Sequence, residues 1–240
     1  MPTRGLFITA TDTGVGKTYV AALAARALVR AGKSVGAYKP ACSGAVRDSA
    51  GGLVWEDAEE LESAVGNRFE SQRVCPQRFE APLAPPIAAR LQGKQVDPRL
   101  LRSGARWWED QVDHLLIEGV GGLLCPLSDD ETVADLAVDL GYPLLIVARL
   151  GLGTINHTLL TVEAARARNL AIAGIVLNES TPVDDPSAES NEREIAERTS
   201  VPVLGVIRYG SNTVLRDRQP VTIDWHTLTA VPNRSKSASV

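Results

Sequence analysis

The stretch "LFITATDTGVGKT", residues 6–18, constrains the fold more than any other part of the chain. A short apolar run, Leu6–Thr9, gives way to a glycine-bearing loop, and the loop opens directly onto the Ala- and Leu-rich "TYVAALAARALVRAG". Strand, loop and helix in that order place the loop beyond the carboxyl end of a strand, where open α/β sheets gather ligands. Gly14 and Gly16 permit a tight turn that aims backbone N–H groups at anion oxygens. Lys17 adds a charge for β- and γ-phosphates, and Thr18 a hydroxyl for Mg²⁺. The helix that follows contributes the partial positive charge of its N-terminus. The commonest phosphate loop has Gly where Thr11 stands, six residues before the lysine. This loop is nearer the variant with a second Gly two before the last. Asp12 occupies the position at which many such variants carry an extra lysine.

The same alternation runs through the chain. Strands are expected at 34–38, 114–119, 143–148, 171–178 and 201–207, and helices at 18–32, 55–66, 98–112, 131–141 and 155–169. The last of these helices is expected to bury Ile155, Leu159, Val162 and Ala165. The polar segment 179–200 starts as a loop and ends as a helix. Short apolar strands alternating with helices predict a P-loop NTPase-like α/β fold, a mostly parallel sheet with helices on both faces. No linker interrupts it, so residues 1–240 are read as one domain, with 233–240 a frayed polar tail.

Composition narrows the function. A net charge of −4 argues against nucleic-acid binding, which favours a basic face. Cys42, Cys75 and Cys125 are widely spaced and suggest neither disulfides nor zinc. There is no secretory signal and no apolar run long enough for a bilayer. A soluble, cytoplasmic protein without membrane or nucleic-acid partners is the expectation.

Two further motifs fall at strand ends. "YKPACSG", 38–44, places Lys39 at the same sheet edge as Lys17. Two unit charges about 4 Å apart interact by about 4 kcal/mol at an effective dielectric of 20, so two anions brought together there need that much compensation. "LIEGVGG", 116–122, ends a strand on Glu118, a carboxylate suited to Mg²⁺. Asp57, in "WEDAEE", is a second acid, not distinguished from its neighbours by position alone.

With these motifs the chain resembles the dethiobiotin synthetases. The family pattern G-T-D-T-x-V-G-K-T is met from Ala10 to Thr18 except for Ala10; Y-K-P-x-x-S/T-G by Tyr38 to Gly44; V-E-G-x-G-G by Ile117 to Gly122, with Ile for Val; and L-G-T-I-N-H-x-L-L-T in full by Leu152 to Thr161. The resemblance implies ATP-dependent closure of a cyclic urea from 7,8-diaminopelargonic acid and CO₂, through a carbamate and a carbamic–phosphoric anhydride, with Mg²⁺ required. It implies catalytic roles for Lys39 and Lys17, and Mg²⁺ on Thr18, Asp57 and Glu118. ATP falls to Gly14, Val15, Gly16, Lys17, Thr18, Tyr19, Asp57, Glu118, Gly119, Val120, Gly121, Asn178 and Glu179, with Asn178 reading adenine. The diamine falls to Thr13 and Ser43, and to Gly153, Thr154, Ile155 and Asn156 supplied by the partner of a homodimer, whose helix N-terminus takes the substrate carboxylate. His157 is read as a satisfied structural histidine.

Two departures stand beside Ala10. The S-P-H-x-A pattern becomes Ala84-Pro85-Pro86-Ile87-Ala88, and the late I-P-x motif beside adenine becomes Ile207-Arg208-Tyr209. Tyr209 or Arg208 is a candidate to stack on the base instead. Two rivals are weighed. An amide synthase of the cobyrinic-acid type lacks room here for a glutaminase domain. Against a switch ATPase of the partition or metal-chaperone type stand Asp12, in place of the extra lysine, and Lys39.

Overall fold

The computed structural model describes residues 2–182 and 185–232; the expected tail at 233–240 lies outside the described residues. Eight strands form the central sheet: β1 (Arg4–Ala10), β2 (Val35–Tyr38), β7 (His114–Glu118), β8 (Leu144–Arg149), β9 (Ile172–Asn178), β10 (Val203–Ile207), β11 (Val214–Arg216) and β12 (Gln219–Val221). Their order is β12-β11-β10-β9-β8-β1-β7-β2. The six from β2 to β10 pair in parallel, and β11 and β12 add an antiparallel edge. Two short pairs lie outside it: β3 (Ala41–Ser43) parallel to β6 (Gln77–Phe79), and β4 (Val46–Arg47) antiparallel to β5 (Leu53–Val54).

The parallel strands are apolar throughout because both faces are covered. Along β8, Leu144, Leu145 and Val147 join one buried cluster while Ile146 and Ala148 join another. The first cluster holds α1 (Lys17–Arg30), α5 (Pro98–Trp107) and α6 (Val133–Leu140); the second takes Val162 of α7 (Thr154–Ala167) and Ile195 of α8 (Asn191–Arg198). Helices therefore cover both faces, as the sequence predicts.

Local chemistry sets the boundaries of α5 and α6. Asp97 caps α5 through Arg99 N and Leu100 N, with Pro98 in the first turn. Thr132 and Asp135 close a capping box on α6, which ends at the left-handed Gly141. The helix expected to reach 112 stops at Trp107: Trp108 turns fully inward, against Phe69 and over Gly36, where an added Cβ would lie 2.4 Å from its ring.

The buried face of α7 differs from the expected one. Thr154, Thr158, Thr161, Val162 and Ala165 are buried, whereas Ile155 and Leu159 are half-buried. Threonine tolerates this position because its hydroxyl can bond within its own helix. Thr161 donates to His157 O at 2.8 Å, and Thr154 and Thr158 face each other at 3.5 Å. The short α4 (Pro85–Leu91) was not anticipated, although the doubled proline at its first turn is a helix-start signal.

The C-terminal α9 (Trp225–Leu228) docks at the opposite end of the sheet from the glycine loop. His114, 1% exposed, lies between Thr229 Oγ1 at 2.9 Å and His226 Nδ1 at 3.1 Å. Burial, then the neighbouring His226 and Arg4, push its imidazole down to about 4. A depressed histidine favours the folded state above its unfolded pKa, and that contribution is lost as pH falls from 6.5 toward 4, about 3 kcal/mol at most. Urea unfolding midpoints measured from pH 7 to pH 4.5 are expected to fall, and His114→Gln to flatten the dependence.

Candidate active site

Sheet order assembles the site. β7 lies between β1 and β2, so the carboxyl ends of all three open side by side. β1 delivers the glycine loop, β2 delivers Lys39 and β7 delivers Glu118. Gly14 (φ 72°) and Gly16 (φ 90°) are left-handed. A Cβ on Gly16 would sit 2.2 Å from the Asn178 amide nitrogen, so the position requires glycine on both counts.

Four charged side chains meet below the loop. Lys39 Nζ donates to Asp57 Oδ2 at 2.7 Å and, in a shorter contact, to Glu118 Oε1. Thr18 Oγ1 donates to the same Glu118 oxygen at 2.9 Å. Lys17 Nζ reaches Asp12 O at 3.3 Å. Lys39 and Glu118 are each 1% exposed. Burial alone would lower the Lys39 ammonium, but Glu118 and Asp57 outweigh it and hold the group charged well above its ordinary range. The Asp57 carboxyl is held low, because Lys39 overcomes the effect of burial. Burial, reinforced by Lys39 and only partly offset by Glu118, lowers Lys17. Burial pushes Glu118 up.

A cavity of about 370 Å³ opens over this cluster. Of the expected residues it is lined by Thr13, Gly14, Gly16, Lys17, Thr18, Lys39, Ser43, Asp57, Glu118, Val120 and Gly121. Cys42 and Ser180 also line it and were not anticipated, since neither residue type carries a signal there. Val15 is fully buried behind the loop and presents its carbonyl to Asn178 Nδ2 at 2.9 Å. Gly119 closes the β7 end by donating to Ile8 O at 2.9 Å, and a Cβ there would meet Val133.

A second cavity, about 360 Å³, shares Gly16 and Ser180 with the first and is lined by Tyr19, Asn178, Glu179, Arg208, Tyr209 and Gly210. The two cavities adjoin at Gly16 and Ser180.

The remaining expected residues lie elsewhere. Gly153, Thr154, Ile155 and Asn156 line neither cavity. Thr154 is buried against Thr158, and the turn before it is fastened by Asp185, which accepts from Leu152 N at 2.6 Å. His157 corrects the structural reading: it is exposed, and it borders a third cavity of about 510 Å³ with Thr11, Thr13, Leu124, Leu160 and Thr161. Arg149, at the end of β8, pairs at 3.6 Å with Asp12, which also borders this cavity.

Among the described residues no group of three His, Cys, Asp or Glu side chains forms a metal site. The oxygens of Thr18, Asp57 and Glu118 do fit a hard divalent cation. Glu118 Oε2 is buried without a hydrogen-bond partner, an acceptor that a cation beside Thr18 would satisfy.

A parallel sheet whose first strand feeds a Gly-x-Gly-Lys-Thr loop and helix, with a buried lysine and two carboxylates facing it, defines a nucleotide-using P-loop protein of the NTPase type. The family model described as an AAA domain, AAA_26, matches residues 4–214. Two solved MinD cell-division ATPases share the fold: that of Pyrococcus horikoshii, complexed with Mg-ADP, has a TM-score of 0.52 and 23% identity over 86% of this chain and 81% of that one. That of Pyrococcus furiosus has a TM-score of 0.51 and 20% identity over 85% and 83%. At these identities the likeness concerns the fold alone. Sequence relatives are much closer. The ATP-dependent dethiobiotin synthetase BioD of Anaeromyxobacter dehalogenans is 47% identical over 215 residues, covering 90% of this chain and 94% of the relative. The protein of that name from Bacillus cereus is 38% identical over 205 residues, covering 85% and 83%. The chain belongs to the ATP-dependent dethiobiotin synthetase family. No described helix is long and apolar enough to cross a membrane.

Proposed function

We propose that the protein is a cyclo-ligase that makes dethiobiotin from 7,8-diaminopelargonic acid, CO₂ and ATP, a step of biotin biosynthesis. The observation that carries this reading is Lys39, a fully buried, charged lysine facing the phosphate loop across one cavity. A plain nucleotide hydrolase needs no second ammonium there; a reaction that presses a carbamate against a γ-phosphate does.

One amine of the diamine takes up CO₂ as a carbamate. A carbamate oxygen attacks the γ-phosphorus, ADP departs, and a carbamic–phosphoric anhydride forms. The second amine then attacks the carbonyl carbon, phosphate leaves and the urea ring closes. Lys17 and the loop N–H groups of Gly14 to Gly16 neutralise charge on the transferred group, a positioning and electrostatic role. Lys39 spends two of its three N–H donors on Asp57 and Glu118, and the third is assigned to the carbamate. Thr13 and Ser43, on the same cavity wall, are assigned to the diamine. Thr18, Asp57 and Glu118 would hold Mg²⁺, which supplies positive charge to the phosphate oxygens. The turn at 153–156 is assigned to the substrate carboxylate of a partner subunit in a homodimer, which agrees with its placement outside the cavities of its own chain.

ADP release measured with ATP and Mg²⁺ is expected only when both the diamine and bicarbonate are present. Turnover indifferent to the diamine would sink this reading in favour of a switch ATPase.

A further inference from the structure

Cys42 and Cys75 are 33 residues apart in the sequence, and nothing in their spacing joins them. The fold does. Lys39 N donates to Val74 O at 2.7 Å, and β3 then runs parallel to β6 with Ala41 opposite Gln77 and Cys42 opposite Arg78. This lays segment 39–43 along segment 74–79. Cys42 and Cys75 are packed into one small buried cluster with Ala58, and their thiols share a hydrogen bond. Both are free cysteines, 3% and 1% exposed. Cys42 nevertheless lines the cavity over Lys39 and Asp57, so a molecule small enough to enter that cavity reaches its sulfur. Cys42 also occupies a position that the pattern Y-K-P-x-x-S/T-G leaves open.

The two thiols are unequal. Burial raises Cys75, but the hydrogen bond from Cys42, and then Arg78 and Lys39, outweigh it and hold that thiol below the ordinary range. The same hydrogen bond, together with burial, pushes Cys42 up. The pair thus has a sulfur on the cavity wall and, behind it, a partner with thiolate character to take its proton and then attack it.

We propose that Cys42 and Cys75 form a peroxide-oxidisable dithiol in the wall of the site, and that their disulfide switches the site off. Cys42 Sγ attacks one oxygen of hydrogen peroxide while its proton passes to the Cys75 thiolate. The O–O bond breaks, hydroxide leaves, and Cys42 becomes a sulfenic acid. Cys75 gives its proton to that hydroxide, forming water. Its sulfur then attacks Cys42 Sγ, the S–O bond breaks, and a second hydroxide leaves. The pair loses two electrons and the peroxide gains them. Closing two sulfurs from contact to a bond of about 2.0 Å moves the backbone on the order of 1 Å. That backbone carries Lys39 and Ser43, and a misplacement of about 1 Å at reacting groups costs about 10²-fold in rate.

The test treats reduced full-length protein with hydrogen peroxide, then denatures it and alkylates it with iodoacetamide. Untreated protein should take a label on each of its three cysteines. Treated protein should keep one, on Cys125, and digestion should return Cys42 and Cys75 in one linked peptide. Diamine-dependent ADP release should fall about 10²-fold and return with dithiothreitol. Cys75→Ala, or Cys75→Ser if the first variant fails to fold, should form no link. In it, peroxide should carry Cys42 on to the sulfinic acid, which dithiothreitol does not reverse. Three labels after peroxide, a sulfinic acid at Cys42 of the wild type, or a link between chains through Cys125 overturns the dithiol. A link between Cys42 and Cys75 with undiminished turnover overturns the switch. Only the activity readout rests on the synthase reading: turnover indifferent to the diamine would condemn that reading while the mass measurement still decides the link.

Discussion

Lys39→Ala is expected to abolish dethiobiotin formation while nucleotide affinity changes little. The lysine lies at the end of β2, across the cavity from the glycine loop, and its contacts run to Asp57 and Glu118. Removing it deletes the ammonium assigned to the carbamate but leaves the loop N–H groups and Lys17 in place. A second consequence follows from burial. Glu118 is 1% exposed and already carries one unpartnered oxygen, so it would be left an uncompensated buried carboxylate. Breaking a buried pair in this one-sided way typically costs about 3–5 kcal/mol. Urea unfolding of the variant should therefore show a marked loss of stability that binding of ADP with Mg²⁺ partly restores, while product assays remain blank. If ADP affinity collapsed in a variant that still folds, the assignment of Lys39 to the second anion would be wrong.

Lys17→Ala should act on a different quantity. Lys17 is 7% exposed, and in this structure it reaches only the Asp12 carbonyl on its own loop. Among the described residues it makes no ion pair. Its loss should therefore leave the unfolding midpoint near that of the wild type and fall on the chemical step. Removing one preorganised donor from a transition state of this kind costs about 2.7–4 kcal/mol, a factor of about 10²–10³ in kcat. Single-turnover ADP formation at saturating diamine and bicarbonate measures it, and near-normal turnover would remove Lys17 from the mechanism. Comparing the two variants separates a lysine that supports both fold and reaction from one that serves the reaction.

Much of this was legible in the sequence because it is encoded locally. The loop between β1 and α1, the strand runs ending at Tyr38 and Glu118, and the capping residues of α5 and α6 are set by residue types within a few positions of one another. Where local signals conflict with packing, expectation and structure part. The pattern of Ile155, Leu159, Val162 and Ala165 pointed to one face of α7, but the three threonines turn inward because their hydroxyls bond inside the helix. Trp108 likewise ends α5 early, because the space over Gly36 and beside Phe69 takes the indole.

The sequence by itself determined the phosphate loop, the alternation that makes a parallel sheet, and the family to which the chain belongs. Position alone did not distinguish Asp57 among the acids of "WEDAEE", which only the family resemblance named, nor show that the ring of Tyr209 is left uncovered. Those were decided by tertiary structure. Lys39 meets Asp57 across 18 residues and Glu118 across 79, and Asn178 reaches back 163 residues to Val15. These partners meet because β7 inserts between β1 and β2, and β9 stands beyond β8 on the other side of β1. Local propensity fixes where a strand ends, but strand order, settled by burial of both sheet faces, fixes which ends become neighbours.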